Sequence, residues 1–415
     1  MDTGAILLFD DGRGDLGPLS DLRASFEQRS GGFTTLERAL RTGIAVHTAC
    51  GPALAPLVSE RHGPECASVP ESALVLNGRV HHSLPELLRS APAGFEEGTA
   101  LVSADGSVVA ARLAGAALRA FVESVASGSA SLPAGVAAID APAARLWSRP
   151  WHLLDANALG AILLADMDST VAHWRKAGEL AALPAHAACT GPEPLHLHAS
   201  AKVGVGVVFD TSAGPVCVGP GAQVGHGSVV TGPVWIGSKT IVAERTVLKA
   251  RTVLGPQCRA AGEIGSAIFQ GFSNKAHDGH LGDALLGEWV NLGAGTVNSN
   301  LLNTYGEVTM RLRPTGAMER TGRQFMGCVV GDHSKTAIGT RIMTGSSVGT
   351  GSMWAAGRAI SGAVAPFAWV TDDGERRFRL DKFTDIARTV MARRGVEPGP
   401  AMLARLSSLH AAGQG

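Results

Sequence analysis

Between residues 275 and 283 the chain places Lys275, His277, His280 and Asp283 in one polar, glycine-bearing stretch. Imidazole titrates near neutrality, so two histidines this close can do acid–base work. The plainer reading leaves both as solvent-exposed loop residues. Zinc is a third possibility, but no further nitrogen or sulfur ligand stands nearby. A second acidic spot, Asp10-Asp11, ends the apolar run Ala-Ile-Leu-Leu-Phe of residues 5–9. These carboxylates either finish a buried strand or serve a cation. The six cysteines, Cys50, Cys66, Cys189, Cys217, Cys258 and Cys328, include no Cys-x-x-Cys pair. Neither a zinc knuckle nor a redox dithiol is indicated.

The element that must position the histidines is a repeat. Val218, Val224, Val230, Ile236, Val242, Leu248 and Leu254 recur at every sixth position, and glycine follows four of them, as Gly219, Gly225, Gly237 and Gly255. A period of six is neither helical nor a simple strand alternation. It fits a triangular solenoid with six residues per side, in which each aliphatic side chain stacks on its equivalent one coil away. The reading is a left-handed parallel β-helix, its hand taken from known repeats of this kind. The spacing slips after Leu254, returns at Leu286 and Leu292, and slips again over residues 312–324. It then resumes at Gly339, Gly345, Gly351 and Gly357. Residues 271–282 and 312–324 therefore read as excursions from the solenoid, where a site is expected.

Ahead of the repeat, strands at residues 5–9, 44–48 and 72–77 alternate with helical stretches at 35–42, 82–89 and 110–127. An Asp105-Gly106 hairpin turn lies between them. That pattern predicts an α/β domain. The expected division is an α/β domain over 1–190, including a junction helix within 147–168, a β-helix over 191–370, and a C-terminal helix with a flexible tail over 371–415. At 415 residues, with Lys plus Arg equal to Asp plus Glu at 36 each, the chain has no net field to attract nucleic acid or anionic lipid. No basic leader or membrane-length apolar run appears, so a soluble cytoplasmic protein without membrane or nucleic-acid partners is expected.

The segment Gln270-Gly-Phe-Ser-Asn-Lys-Ala-His277-Asp-Gly-His280-Leu-Gly-Asp283, continued by Gly287-Glu-Trp-Val-Asn291-Leu-Gly-Ala-Gly-Thr296, resembles a known bifunctional family. Its members fuse a sugar-1-phosphate nucleotidyltransferase domain to a hexapeptide-repeat acyltransferase domain. The nearest group is the variant bacterial UDP-N-acetylglucosamine diphosphorylase/glucosamine-1-phosphate N-acetyltransferase family. Gly331-Asp-His-Ser-Lys-Thr336, Ile6-Leu-Leu-Phe-Asp-Asp11 and residues 151–157 are similar to it as well.

The resemblance implies acetyl transfer from acetyl-CoA to glucosamine-1-phosphate, then uridylyl transfer from a nucleoside triphosphate with Mg2+, in a homotrimer. It implies His277 as the acetyl-transfer base. Lys275, His280, Asn291 and Asn300 would lie on the substrate side, and Gly293 and Ala294 on the acetyl-CoA side. By side-chain type alone, Arg313 is a candidate substrate-phosphate contact, His333 is either a structural hydrogen-bonding group or a cofactor-side one, and Lys335 is either a cofactor-phosphate contact or a solvated lysine. In the first domain it implies Arg23 and Arg29 as phosphate contacts, and Asp10, Asp11, Asp155 and Asn157 as magnesium ligands. The usual Leu-x-x-Gly-x-Gly-x-Arg-Met phosphate loop is absent, and Arg23-Ala24 stands where the group has Arg-Pro. Two alternatives remain open at this point. One is a nucleotidyltransferase trimerised by a non-catalytic solenoid, and the other is a sugar-nucleotide-binding solenoid protein without turnover.

Overall fold

The computed structural model describes residues 4–81, 95–141 and 146–412. The helix expected over 82–89 lies outside the described residues. The chain forms two compact units. The first comprises residues 1–16, 22–153 and 399–406, and the second residues 17–21, 154–398 and 407–415.

The first unit is built on a mixed six-stranded sheet of β1 (Ile6–Phe9), β2 (Val46–Ala49), β3 (Ser72–Asn77), β4 (Thr99–Val102), β5 (Val108–Ala114) and β6 (Ala137–Asp140), in the order β2-β1-β3-β5-β4-β6. β1 runs parallel to both neighbours, while β5 is antiparallel to β3 and β4. The central strand is buried on both faces, so Ile6 and Leu8 join one core and Leu7 and Phe9 the other. This explains why residues 5–9 read as a continuous apolar run and not an alternation. The Asp105-Gly106 turn joins β4 to β5 as the hairpin signal predicts, and Ser103 N–H donates to the Ser107 carbonyl. Residues 108–114, expected in part as helix, extend the sheet as β5, and the helix is Gly115–Ala126.

The second unit is a parallel β-solenoid. Val216, Val234 and Thr252 are register partners, three hexads apart at each step, so three sides of six residues close one coil. All seven aliphatic residues of the sixfold series are buried in one core. The glycines after them are required by close approach. A Cβ on Gly225 would stand 2.5 Å from the backbone nitrogen of Glu244, and one on Gly255 2.3 Å from the Gln270 carbonyl oxygen. The left-handed corners fall elsewhere, at Lys239, Arg245, Arg251 and Gln257 among others, each with φ between 55° and 60°.

Four expectations change. The solenoid begins before residue 190, because Ala188–Thr190 already pairs with Val208–Asp210, and Leu195–His198 with Val216–Val218. The prolines and glycine of residues 184–194, taken as a linker, punctuate this first coil. The helix Ala156–Ala177 falls in the second unit. Residues 271–282 are not an excursion. Asn274–Lys275 and His280–Gly282 continue two faces of the solenoid, and the phase slips because one coil is shorter, with Arg259 pairing to Asn274 and Val253 to Ile268. The true excursion is longer than expected. Leu286 pairs with Val330, and the chain between makes a hairpin of Thr309–Met310 with Glu319–Arg320, closed by a Leu301–Phe325 bridge.

The helix Leu380–Ala392 forms as predicted, burying Phe383, Ala387 and Met391. The segment expected as a flexible tail instead forms a helix, Pro400–Ala412, which buries Met402 and Leu406. The Glu60 carboxylate accepts hydrogen bonds from Ala401 N–H (2.7 Å) and Met402 N–H (3.1 Å) at its start, where helical N–H groups lack internal partners.

Because each aliphatic residue touches its equivalents above and below, a truncation opens a cavity that the coil cannot close. Leu254→Ala should cost about 2–5 kcal/mol, read from the urea midpoint of the solenoid followed by circular dichroism.

Candidate functional site

On the six-stranded face, Val247–Leu248, Glu263–Gly265 and His280–Gly282 lie on successive coils, with Glu263 and His280 as direct register partners. That register sets His280 Nδ1 3.3 Å from Glu263 Oε1, and Lys249 Nζ lies 2.5 Å from the same oxygen. The Lys249 hydrogen bond, reinforced by His280, holds the Glu263 carboxyl below its usual range. An ionised carboxylate facing Nδ1 favours the tautomer with its proton there, leaving the Nε2 lone pair free. Nε2 overlooks Gly282. A Cβ at this glycine would stand 2.6 Å from His280 Nε2 and 2.6 Å from Asn300 Nδ2, so the missing side chain makes room for both groups.

The floor is fixed from below by Asn298, which is buried. Its Oδ1 accepts from Gly282 N–H and its Nδ2 donates to the Gly282 carbonyl, both at 2.8 Å. Asn300 Nδ2 donates to Asp283 Oδ2 (2.7 Å), and Arg323 lies 3.5 Å from Asp283 Oδ1. Burial raises the Asp283 pKa against the opposing pull of Asn300 and Arg323.

The other residues singled out from sequence are distributed differently. His277 is exposed at the next corner, and no hydrogen bond of its imidazole is found among the described residues. Lys275 is buried, and Nζ donates to the carbonyls of Ala261 (3.2 Å), His277 (2.7 Å) and Asp278 (2.8 Å). These three bonds use all its donors, so the ammonium fastens the corner and has none left for a phosphate. Burial lowers its pKa to about 8. Asn291 is exposed on a different face, between Asn274 and Lys335. Gly293 N–H donates to the Thr336 carbonyl (3.2 Å) and hydroxyl (3.1 Å), so the ladder uses it. Ala294 N–H has no acceptor among the described residues.

His333 is buried in an aromatic stack, 6.1 Å from Trp289 and 5.9 Å from Phe383 between ring centroids. Lys335 Nζ donates to the His333 carbonyl (3.0 Å), and burial lowers its pKa to about 8. Arg313 is 3.1 Å from Asp21 and donates to the Gly17 carbonyl (2.9 Å). Thus His280 and Asn300 both flank Gly282, while Lys275 fastens the adjoining corner that carries His277. Sequence reading missed Glu263, Lys249, Asn298 and Gly282. Glu263 was within reach, since it lies one coil before His280 on the same face.

In the first unit the acidic pair divides. Asp11 is buried, and Arg79 donates to it through Nε (2.8 Å) and Nη2 (2.6 Å), with Asn77 Nδ2 adding a third bond at 2.9 Å. Burial opposes its ionisation, but Arg79 outweighs burial and the pKa is lowered. Asp10 accepts from Gly12 N–H (3.0 Å) and Ser25 N–H (2.9 Å), yet burial raises its pKa. Arg29 is paired with both Glu37 oxygens at 3.0 Å and so serves the start of the helix Thr35–Leu40. Arg23 is buried. In the second unit Asp155 accepts from Ala158 N–H (2.9 Å) as the cap of its helix, and Asn157 is exposed in the first turn.

Among the described residues no cluster of three or more His, Cys, Asp or Glu side chains is arranged for a metal. Asp11 is engaged by Arg79, and Asp155 serves as a helix cap. Among the described residues no helix is long and apolar enough to cross a membrane.

Residues 6–171 match the family described as sugar nucleotidyl transferase. The N-terminal domain is nucleotidyltransferase-like. A bifunctional sugar-1-phosphate nucleotidylyltransferase/acetyltransferase of Sulfurisphaera tokodaii is 29% identical over 113 residues, 27% of each chain. Bifunctional protein GlmU of Rhodococcus opacus is 32% identical over 176 residues, 40% of this chain and 30% of its own. These alignments span about a third or less of the curated relatives' length. Among solved structures, the Arabidopsis UDP-N-acetylglucosamine acyltransferase covers 56% of this chain and 79% of its own at 15% identity, with a TM-score of 0.25. A nucleotidyltransferase-like domain is therefore fused to a hexapeptide-type solenoid, an arrangement that broadly matches the GlmU-like bifunctional proteins at low identity.

Removing one partner of the buried Asp11–Arg79 pair leaves the other charge without compensation. Asp11→Ala should destabilise the first unit by about 3–5 kcal/mol, measured as a shift in its denaturant midpoint.

Proposed function

We propose that the solenoid catalyses acyl transfer from acetyl-CoA to the amine of an amino sugar-1-phosphate, with His280 as general base. One observation carries this reading: the Glu263–His280 pair, with Nε2 overlooking Gly282 beside Asn300. In the reaction the amine attacks the thioester carbonyl, His280 Nε2 takes the amine proton, the C–S bond breaks, and the imidazolium returns that proton to the departing thiolate, so that coenzyme A leaves as the thiol and the base is regenerated. Glu263 offsets the imidazolium that forms, which lowers the cost of the proton transfer. Ala294 N–H, one coil on, is a donor available to the carbonyl oxygen. Lys249, largely exposed beside Glu263, is a cation for the acceptor's phosphate.

The nucleotidyltransferase-like domain is read as converting the acetylated sugar phosphate to its nucleotide sugar. Glucosamine-1-phosphate and UTP are the substrates that the resemblance implies. We place the base at His280 and not at His277, whose imidazole has no orienting carboxylate among the described residues.

His280→Ala should lower kcat for acetyl transfer by about 10²–10⁴-fold with a smaller change in KM for acetyl-CoA. Glu263→Gln should fall between it and wild type, while His277→Ala stays within about threefold of wild type, since an exposed side chain supports little packing. Steady-state assays of free coenzyme A release decide. Loss in His277→Ala with a normal rate in His280→Ala would restore the earlier assignment. Full nucleotidyl transfer without any acetyl transfer would select the non-catalytic solenoid.

The assembly proposed is a homotrimer, with acyl donor and acceptor held between subunits. Apolar side chains left on the solenoid surface support it: Ile338 is 80% exposed, Val205 58%, and Val229 and Val247 36% each. Light scattering should give about three times the 42.6 kDa chain mass. A monomer at micromolar concentration would count against a site shared between subunits.

A further inference from the structure

One face of the solenoid, on which Arg259, Asn274 and Asn291 succeed one another, carries a second concave site lined by three arginines to which the acyl-transfer proposal gives no role. Arg259 and Asn274 are register partners on successive coils, and Asn291 follows Asn274 on the next. The end of the helix Leu380–Ala392 brings Arg393 and Arg394 to the same pocket, whose volume is about 200 Å³. Arg394 Nη2 donates to Asn274 Oδ1 (3.0 Å), which turns the Asn274 amide toward Asn291 Oδ1 at 3.4 Å. Phe272 and Trp289, stacked at 4.4 Å with 16° between their planes, form one wall.

Three guanidinium groups thus converge on one hollow, and among the described residues none of them forms an ion pair with a carboxylate. Burial and the charges of Arg259 and Arg393 press the Arg394 pKa down, as expected where like charges meet without an anion. The aromatic wall keeps water from one side, which strengthens the attraction for an anion. Guanidinium forks match the oxygens of phosphate in pairs. The volume is smaller than the roughly 300–1,000 Å³ typical of pockets that enclose a whole drug-sized ligand.

We propose that this pocket binds a phosphate or diphosphate group, held by Arg259, Arg393 and Arg394. The group is either free in solution or the phosphorylated end of a longer molecule that extends past Phe272 and Trp289. The assignment stands whether or not His280 is the base.

The test is calorimetric titration of the full-length protein with sodium pyrophosphate, ADP and UDP, at low and at raised ionic strength. Pyrophosphate should bind, weaken as salt rises, and lose about tenfold or more in affinity in Arg259→Gln and in Arg394→Gln. Arg394→Lys, which keeps the charge and loses the fork, should fall between. ADP or UDP binding more tightly than pyrophosphate through the same arginines assigns the group to a nucleotide, and equal affinities assign it to free diphosphate. Wild-type affinity in an Arg259→Gln/Arg394→Gln protein with an unchanged melting curve would overturn the proposal. If that protein melts early, the wild type decides alone, since pyrophosphate affinity indifferent to salt overturns it equally.

Discussion

Everything in the second unit depends on the coils approaching one another at strand spacing. Backbone hydrogen bonds run from coil to coil, as from Val229 N–H to the Thr246 carbonyl and from Val247 N–H to the Gly262 carbonyl. Each coil can close only where no Cβ intrudes, which is why glycine stands at 225 and 255, where a Cβ would come within 2.5 and 2.3 Å of the next coil's backbone. In return the solenoid offers rows of side chains at fixed spacing. The Glu263–His280 pair is such a row: a carboxylate and an imidazole meet because the ladder makes them register partners, without a loop having to find that geometry. The arginine pocket uses the same device, with Arg259 and Asn274 stacked on a neighbouring face.

Polar groups inside this framework are held to a different standard from those on its surface. Lys275 is accommodated because three carbonyls receive its protons, and Asn298 because it pairs with both the N–H and the carbonyl of Gly282. Asp11 is accommodated in the first unit by Arg79 and Asn77. Each looks like a functional residue by type. Each has its hydrogen-bonding capacity taken up by neighbours, which is what burial demands of a polar group.

This distinction also explains what was legible in the sequence. The sixfold period of Val218 through Leu254 revealed the solenoid because stacking acts on residue type directly. The acidic end of β1 and the Asp105-Gly106 hairpin were legible for similarly local reasons. Residues 271–282 looked like an excursion because a coil short by a few residues breaks phase as an insertion does. The helix Pro400–Ala412 was missed because its stabilising contact comes from Glu60, far away in the chain. His277 and His280 are alike in composition and context. Only the register, which sets a carboxylate beside one and solvent beside the other, tells them apart.

The excursion between Val297–Asn298 and Cys328–Val330 has a further consequence. The coils on either side of it stack as though it were absent, with Leu286 against Val330 and Val297 against Arg341. A loop whose ends are already held together by the ladder can change length at small entropic cost. Arg323 lies within this loop and Asn300 at its root, whereas Glu263 and His280 belong to the coils. The two halves of the site are therefore free to diverge at different speeds. The Glu263–His280 pair is tied to a frame that tolerates little change, while the groups around it ride on a segment that can be rebuilt without disturbing the frame.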